Sequence, residues 1–194
     1  MYDFADLYII TTFPSLKIDI QNYPAILQHL MSYGYDRLKQ TGDFGSRKKT
    51  HNQWFEIQDS ISYWEDFSKQ KIVYREISDN MNACILAETI FVNNKCYIIT
   101  GEKLFYLLGF LNSKLFNRII LQSANITGGK GHEFLSKIKI PKLESDKLVI
   151  FEKLIVEICD TSDPIRIQNL DHQINKFVYQ IYDFTSREVD FIEN

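Results

Sequence analysis

The 194-residue chain has little of what marks a specialised sequence class. It holds three cysteines, Cys84, Cys96 and Cys159, none in a Cys-x-x-Cys pair. An odd, unpaired set excludes a disulfide scaffold, and buried, reduced thiols are expected. His29, His51, His132 and His172 are scattered without metal-ligand spacing, so no metal is expected. Four prolines and eight glycines are too few for a low-complexity chain. No apolar run approaches the ~20 residues of a membrane span. The first six residues, Met-Tyr-Asp-Phe-Ala-Asp, are acidic where a signal peptide is basic. No membrane partner and a cytoplasmic location follow as expectations. An overall basic excess is also missing: the net charge is −3. Taken whole, that argues against a nucleic-acid binder.

What is present changes the last point. Residues 1–36 carry a net charge of −3, residues 37–143 carry +6 and residues 144–194 carry −6. Exposed charges act over a Debye length of roughly 8–10 Å, so the local field counts, not the average. A basic middle between acidic ends suits a protein that lays one face on a polyanion. Hydrophobic residues make up 45% of the chain, enough for a sizeable core.

The periodicities predict an α+β fold: a small mixed or antiparallel sheet, packed helices and a C-terminal helical hairpin. Strands are expected at Asp6–Phe13, Lys71–Ile77, Ala83–Phe91, Lys95–Thr100 and Ile138–Ile140. Asn93-Asn94 is expected to turn a hairpin. A strong strand so near residue 1 suggests a longer parent protein. Helices are expected at Pro24–Gln40 and Glu102–Gln122. Leu148, Phe151, Leu154/Ile155 and Ile158 form one later stripe; Ile167, Leu170, Ile174, Phe177/Val178 and Ile181 form another. Pro164 separates these two, and Thr185 with Glu188 has capping-box spacing. The domain reading is 1–143 for a main domain and 144–194 for a helical spacer or docking segment.

No catalytic constellation is found. Gly128-Gly129-Lys130-Gly131 is not a phosphate-binding P-loop, and Gly-x-Gly-x-x-Gly and Gly-x-Ser-x-Gly are both missing. Two segments carry a physical logic. Residues 47–54, Arg-Lys-Lys-Thr-His-Asn-Gln-Trp, combine phosphate-neutralising and base-pairing side chains with an aromatic anchor. Residues 128–132 offer backbone N–H groups and Lys130 to a phosphate.

In order along the chain stand Pro14-Ser15-Leu16-Lys17-Ile18-Asp19 with Tyr23-Pro24-Ala25-Ile26-Leu27, then Arg47 before Trp54-Phe55-Glu56-Ile57-Gln58. Next come Lys69-Gln70-Lys71-Ile72-Val73-Tyr74 and Tyr106-Leu107-Leu108-Gly109-Phe110-Leu111-Asn112-Ser113-Lys114. Leu135 through Ile140-Pro141 follows, and Val178-Tyr179 to Tyr182-Asp183-Phe184-Thr185 closes the series. This ordered set resembles the TaqI-like C-terminal specificity domain of restriction–modification enzymes, especially single-chain type IIG proteins. Gln70 stands where the family favours proline, and Asp183-Phe184 replaces its usual Gly-Leu.

The resemblance implies a target recognition domain that reads duplex DNA. The neighbouring methyltransferase domain would flip and methylate adenine with S-adenosylmethionine. That domain's Asn-Pro-Pro-Tyr motif does not occur here, so no cofactor and no catalysis are expected of this chain. Phosphate contacts are expected of Lys48, Lys49, Lys71, Lys130 and Lys139. Base reading is expected of some of Arg47, Asn52, Gln53, Arg75 and Asn94. Competing readings are a protein-interaction subunit that recruits a separate catalytic chain, and a small enzyme with a site built by the fold.

Overall fold

A computed structural model describes residues 7–59, 61–76, 80–123 and 132–194. The chain forms two compact units, Met1–Trp64 and Glu65–Asn194. The fold is α+β, with a three-stranded antiparallel sheet in the second unit.

The first unit has little regular structure. Single 3-10 turns at Pro14–Leu16 and Ile20–Asn22 lead into α1, Pro24–Met31, and α2, Tyr35–Leu38. Asp19 accepts from the Gln21 N–H, and Pro24 opens α1 where its missing N–H costs no bond. The expected helix Pro24–Gln40 is thus two pieces. Ser32, Tyr33 and Gly34 close the last turn of α1 with bonds to His29, Leu30 and Met31. The expected strand at Asp6–Phe13 is corrected: residues 7–13 form no strand, and Leu7, Tyr8, Ile9 and Ile10 are exposed. Their composition favours extended backbone, but a strand also needs a ladder. The backbone bond from Ile57 N to Thr12 O, 3.1 Å, ties the segment to the 38–58 loop, but no strand ladder forms among the described residues. Phe13 beyond it is buried and stacks on Trp64 with centroids 5.4 Å apart.

In the second unit β1, Lys71–Arg75, lies between β2, Cys84–Leu86, and β3, Cys96–Ile99. Val73 faces Cys84 on one side and Ile98 on the other. Lys71 to Tyr74 are buried in succession, the pattern of a strand covered on both faces. The expected hairpin between the last two strands is corrected, because β2 and β3 flank β1 and do not pair with each other. Asn93 still makes a turn: its side chain accepts from Lys95 N at 3.0 Å, and its carbonyl from Cys96 N.

The expected long helix Glu102–Gln122 is α3, Leu104–Leu111, and α4, Lys114–Ser123, set at 60°. The corner is built by polar side chains that satisfy backbone groups the bend releases. The Ser113 hydroxyl donates to Phe110 O and accepts from Phe116 N. Asn175 Oδ1 accepts from Lys114 N at 2.8 Å. Asn112 clamps Ala83 from both sides, accepting from its N–H and donating to its C=O, each at 2.8 Å. Asn117 accepts from Met81 N at 3.0 Å, so the corner also holds the approach to β2.

After α5, His132–Leu135, residues 138–140 form no strand, which corrects that expectation. Tyr106 Oη donates to Pro141 O and Tyr182 Oη to Lys139 O, pinning this segment by its carbonyls. The helical hairpin forms as α6, Ser145–Asp160, and α7, Pro164–Ile181. Asp163 caps α7 by accepting from Ile165 N at 3.0 Å, and Arg166 pairs with Glu157 across the turn. α6 packs on α3, and α7 on α6 and α4, so 144–194 belongs to the same compact unit as the sheet. Both halves of the Thr185–Glu188 capping box are present at the start of α8, Ser186–Glu193. Tyr179 and Lys114 hold Glu193 of that helix, and Arg118 lies 4.5 Å above the Phe191 ring.

No single helix among the described residues is long and apolar enough to cross a membrane. Cys84 and Cys96 are half-buried; Cys159 is exposed, contrary to the expectation of burial.

One close approach sets the α3–α6 distance. A Cβ on Gly109 would stand 2.3 Å from Ile155 Cδ1 and 2.9 Å from Phe151 Cε1, both on buried side chains of α6. Gly109→Ala gains up to ~1 kcal/mol of helix propensity, yet overpacking costs ~1–3 kcal/mol. We expect a net loss of stability, read as an earlier urea midpoint in far-UV circular dichroism. An unchanged or later midpoint would contradict the close packing.

Candidate nucleic-acid interface

Residues 38–58 form a loop region whose shape comes from side chains bonding to backbone. Gln40 is buried; its Nε2 donates to Gln53 O and Glu56 O, and its Oε1 accepts from Thr50 Oγ1. Glu56, also buried, accepts from Gln53 N at 2.7 Å. The Arg47 guanidinium donates to three carbonyls, at Leu38, Glu56 and Trp54. Burial lowers its pKa from the ordinary arginine value. Trp54 packs edge-on against Tyr35 and Phe55.

These contacts redistribute the expected site residues. Arg47 was expected among the base readers. Its committed donors instead make it the staple of its loop. Asn52 is half-buried, with its side-chain amide donating to Ile57 O and Gln58 O. Lys48, Lys49 and Gln53 are exposed. Lys48 pairs with Asp59, an exposed contact that contributes little to stability and that a phosphate can replace. Phe44 stands fully exposed at the end of the same loop.

In the second unit, Lys71 was expected on phosphate but is fully buried, its Nζ donating to Ala87 O at 2.9 Å. Burial lowers its pKa from the ordinary lysine value, with Glu88 opposing in part. Arg75, by contrast, is exposed at the end of β1, opposite Cys96 of β3. Asn94 is exposed in the turn before β3. Arg75, Glu76, Asn93, Lys95 and Cys96 line a recess of 310 Å³ there. Lys95 was missed from the sequence; its place in the Asn93-Asn94 turn was the available signal. Lys139 is exposed, with its carbonyl held by Tyr182. Lys130 and the Gly128–Gly131 motif lie outside the described residues.

Within each unit taken by itself, the exposed lysines suit phosphates, and the exposed guanidinium and amide groups have the chemistry of base-edge contacts. An apolar cavity of 510 Å³ lies between β3, α3 and the 135–140 segment, lined by Tyr74, Tyr97, Leu107, Leu111 and Phe116 among others. Its ionisable side chains are the two phenols; burial raises the pKa of Tyr74 above the usual tyrosine value. Among the described residues no group of three His, Cys, Asp or Glu side chains is placed to hold a metal ion.

A lysine at position 47 carries its three donors on one nitrogen and cannot reproduce the planar spread of Nε, Nη1 and Nη2 over the three carbonyls. Arg47→Lys should therefore destabilise the first unit by ~1–3 kcal/mol. Fluorescence-detected urea unfolding checks this, since Trp54 and Trp64 both belong to that unit. A variant as stable as the wild type would return Arg47 to the base-reading candidates.

Comparison with known proteins bears on the same residues. No curated protein matches the sequence. Residues 19–144 match the model of the TaqI-like C-terminal specificity domain, well over half of the chain. The match runs from the Asp19 cap through the Arg47–Glu56 loop, the sheet and the α3–α4 corner to the foot of α6. The chain therefore belongs to the TaqI-like C-terminal specificity domain family, a non-catalytic domain that serves DNA recognition in restriction–modification enzymes.

Proposed function

We propose that this chain is the recognition part of a type IIG restriction–modification enzyme, or of a related adenine-specific DNA methyltransferase. It reads a short duplex sequence and presents it to an adenine-N6 methyltransferase domain outside this chain. S-adenosylmethionine belongs to that domain and supplies the methyl group there; no residue of this chain is assigned to it. The protein works in the cytoplasm, where such DNA lies.

The family membership of residues 19–144 carries this reading. The exposed polar groups support it. Lys48, Lys49 and Lys139, with Lys130, serve phosphates. Gln53, Arg75 and Asn94 serve base edges, and Lys95 joins them at the sheet end. In this division residues 1–143 hold the recognition surface and 144–194 brace the methyltransferase domain. The α6–α7 hairpin leaves Val149, Ile150, Val156 and Ile165 exposed within a segment of net charge −6. That apolar, acidic surface also suits the second reading, a specificity subunit that recruits a separate catalytic chain.

Titration of the chain against mixed-sequence duplex DNA at two salt concentrations tests the proposal. Affinity should fall steeply with salt, because each neutralised phosphate adds about 0.9 to the log–log slope. Replacing Lys48 and Lys49 together by alanine should weaken all sequences alike and flatten that slope by up to ~2. Arg75→Ala should instead cost ~1–3 kcal/mol at one target position and relax selectivity there. No mobility shift at low salt, together with binding to a methyltransferase chain, would favour the recruiting subunit.

A further inference from the structure

Phe44 is the most exposed large apolar residue described, at 110% of its reference area. A single exposed phenylalanine is ordinary in itself. What sets this one apart is the stiffness beneath it. The tip is a turn closed by Ser46 N to Asp43 O at 3.0 Å, reinforced by Ser46 Oγ to the same carbonyl at 2.8 Å. One step further down, Gly42 N donates to Arg47 O, and Arg47 N donates to Lys39 O. Gly42 and Gly45 flank the tip at φ +80° and +81°, a conformation that side chains strain to adopt. A Cβ on Gly42 would also meet Lys49 Cβ at 3.2 Å. The Arg47 staple anchors the base of the loop. The ring is therefore held out in water on a pre-organised support, with little conformational entropy left to lose on binding.

The surroundings identify what it meets. Residues 36–49 carry Arg37, Lys39, Arg47, Lys48 and Lys49 against Asp36 and Asp43; Lys39 pairs with Asp36, Lys48 with Asp59, and the Arg47 guanidinium is turned to carbonyls. An apolar tip among cations fits a polyanion with an apolar interior. Duplex DNA has that construction, phosphates outside and stacked bases within. We propose that Phe44 is a wedge that enters between adjacent base pairs of bound duplex DNA and partly unstacks them, while the lysines beside it hold the phosphates. This inference rests on the DNA-recognition reading above.

The test uses the whole chain and a closed circular plasmid, relaxed by topoisomerase with the protein bound. A wedge unwinds the duplex at each site, so wild-type protein should shift the topoisomer distribution in proportion to occupancy. Phe44→Ala should bind ~5- to 150-fold more weakly, the range expected for loss of one aromatic–base contact. At equal occupancy it should leave the distribution unshifted, and Phe44→Trp should restore the shift. Because the side chain is exposed, Phe44→Ala should keep the wild-type melting temperature. Plasmid bound without any shift, or an equal shift with Phe44→Ala, overturns the wedge and leaves the DNA reading standing. No plasmid retained at low salt overturns both. Retention of the wild type on phosphatidylserine vesicles, lost in Phe44→Ala while DNA topology stays unaffected, would assign the tip to a membrane surface and also overturn the wedge.

Discussion

Leu38, Trp54 and Glu56 turn their carbonyls toward one guanidinium, and the geometry of the first unit follows from that convergence. A segment without helix or sheet must still pair its sheltered backbone groups. Gln40, Arg47, Asn52 and Glu56 do this through side chains, so the loop has a defined shape without a ladder. The second unit meets the same requirement at its helix corner through Asn112, Ser113, Asn117 and Asn175. In both units the polar residues that look available to a ligand in the sequence are partly consumed by the protein itself. What stays exposed of the expected contacts includes Lys49, Gln53, Arg75, Asn94 and Lys139.

Charge follows a similar division of labour. The acidic C-terminal segment is built into the second unit by an apolar stripe, with Phe151, Ile155, Leu170 and Val178 buried. Its carboxylates lie mostly on exposed helix faces, and some close local contacts, such as Glu157 with Arg166 and Glu193 with Lys114. The basic middle is not uniformly available either. Lys39 pairs with Asp36, Lys69 with Asp66 and Lys48 with Asp59. The cations left outside these pairs are therefore fewer than the segment's lysines and arginines together.

Much of this fold was legible where a single local pattern decides the outcome. The α6–α7 hairpin, the Asp163-Pro164 start and the Thr185–Glu188 box all rest on neighbouring residues. Element type failed where partners lie far away in sequence. Residues 7–13 have strand composition but form no strand ladder among the described residues, and Ile138–Ile140 are pinned by Tyr106 and Tyr182 instead of a neighbouring strand. The α3–α4 break was hidden because leucines and isoleucines continue the helical period straight through it. Asn112-Ser113 marks the corner only once Ala83 and Phe110 are known to be its partners. The candidate site was named from the sequence by segment and by chemistry, and the structure shows which of its side chains are exposed. Arg47 and Lys71 were expected on DNA, yet both turn their donors to carbonyls, because nothing local distinguishes a lysine or arginine that faces solvent from one that faces a carbonyl. Lys95 was overlooked because its companions across the recess come from a different strand.

The notch at Gly109 has a mechanical meaning. Ile155 sits where any other residue of α3 would place a side chain, so α6 can neither slide nor roll on α3 without climbing out. Since α3 also packs on β1 and β2, the outer faces of the hairpin and the end of β1 are parts of one stiff body. A neighbour seated on Val149 and Val156 would thereby hold Arg75 at a set separation and angle from itself. On the proposed reading, the offset between a base met by Arg75 and a reaction centre beyond the hairpin would be set by helix packing, not by the length of a tether.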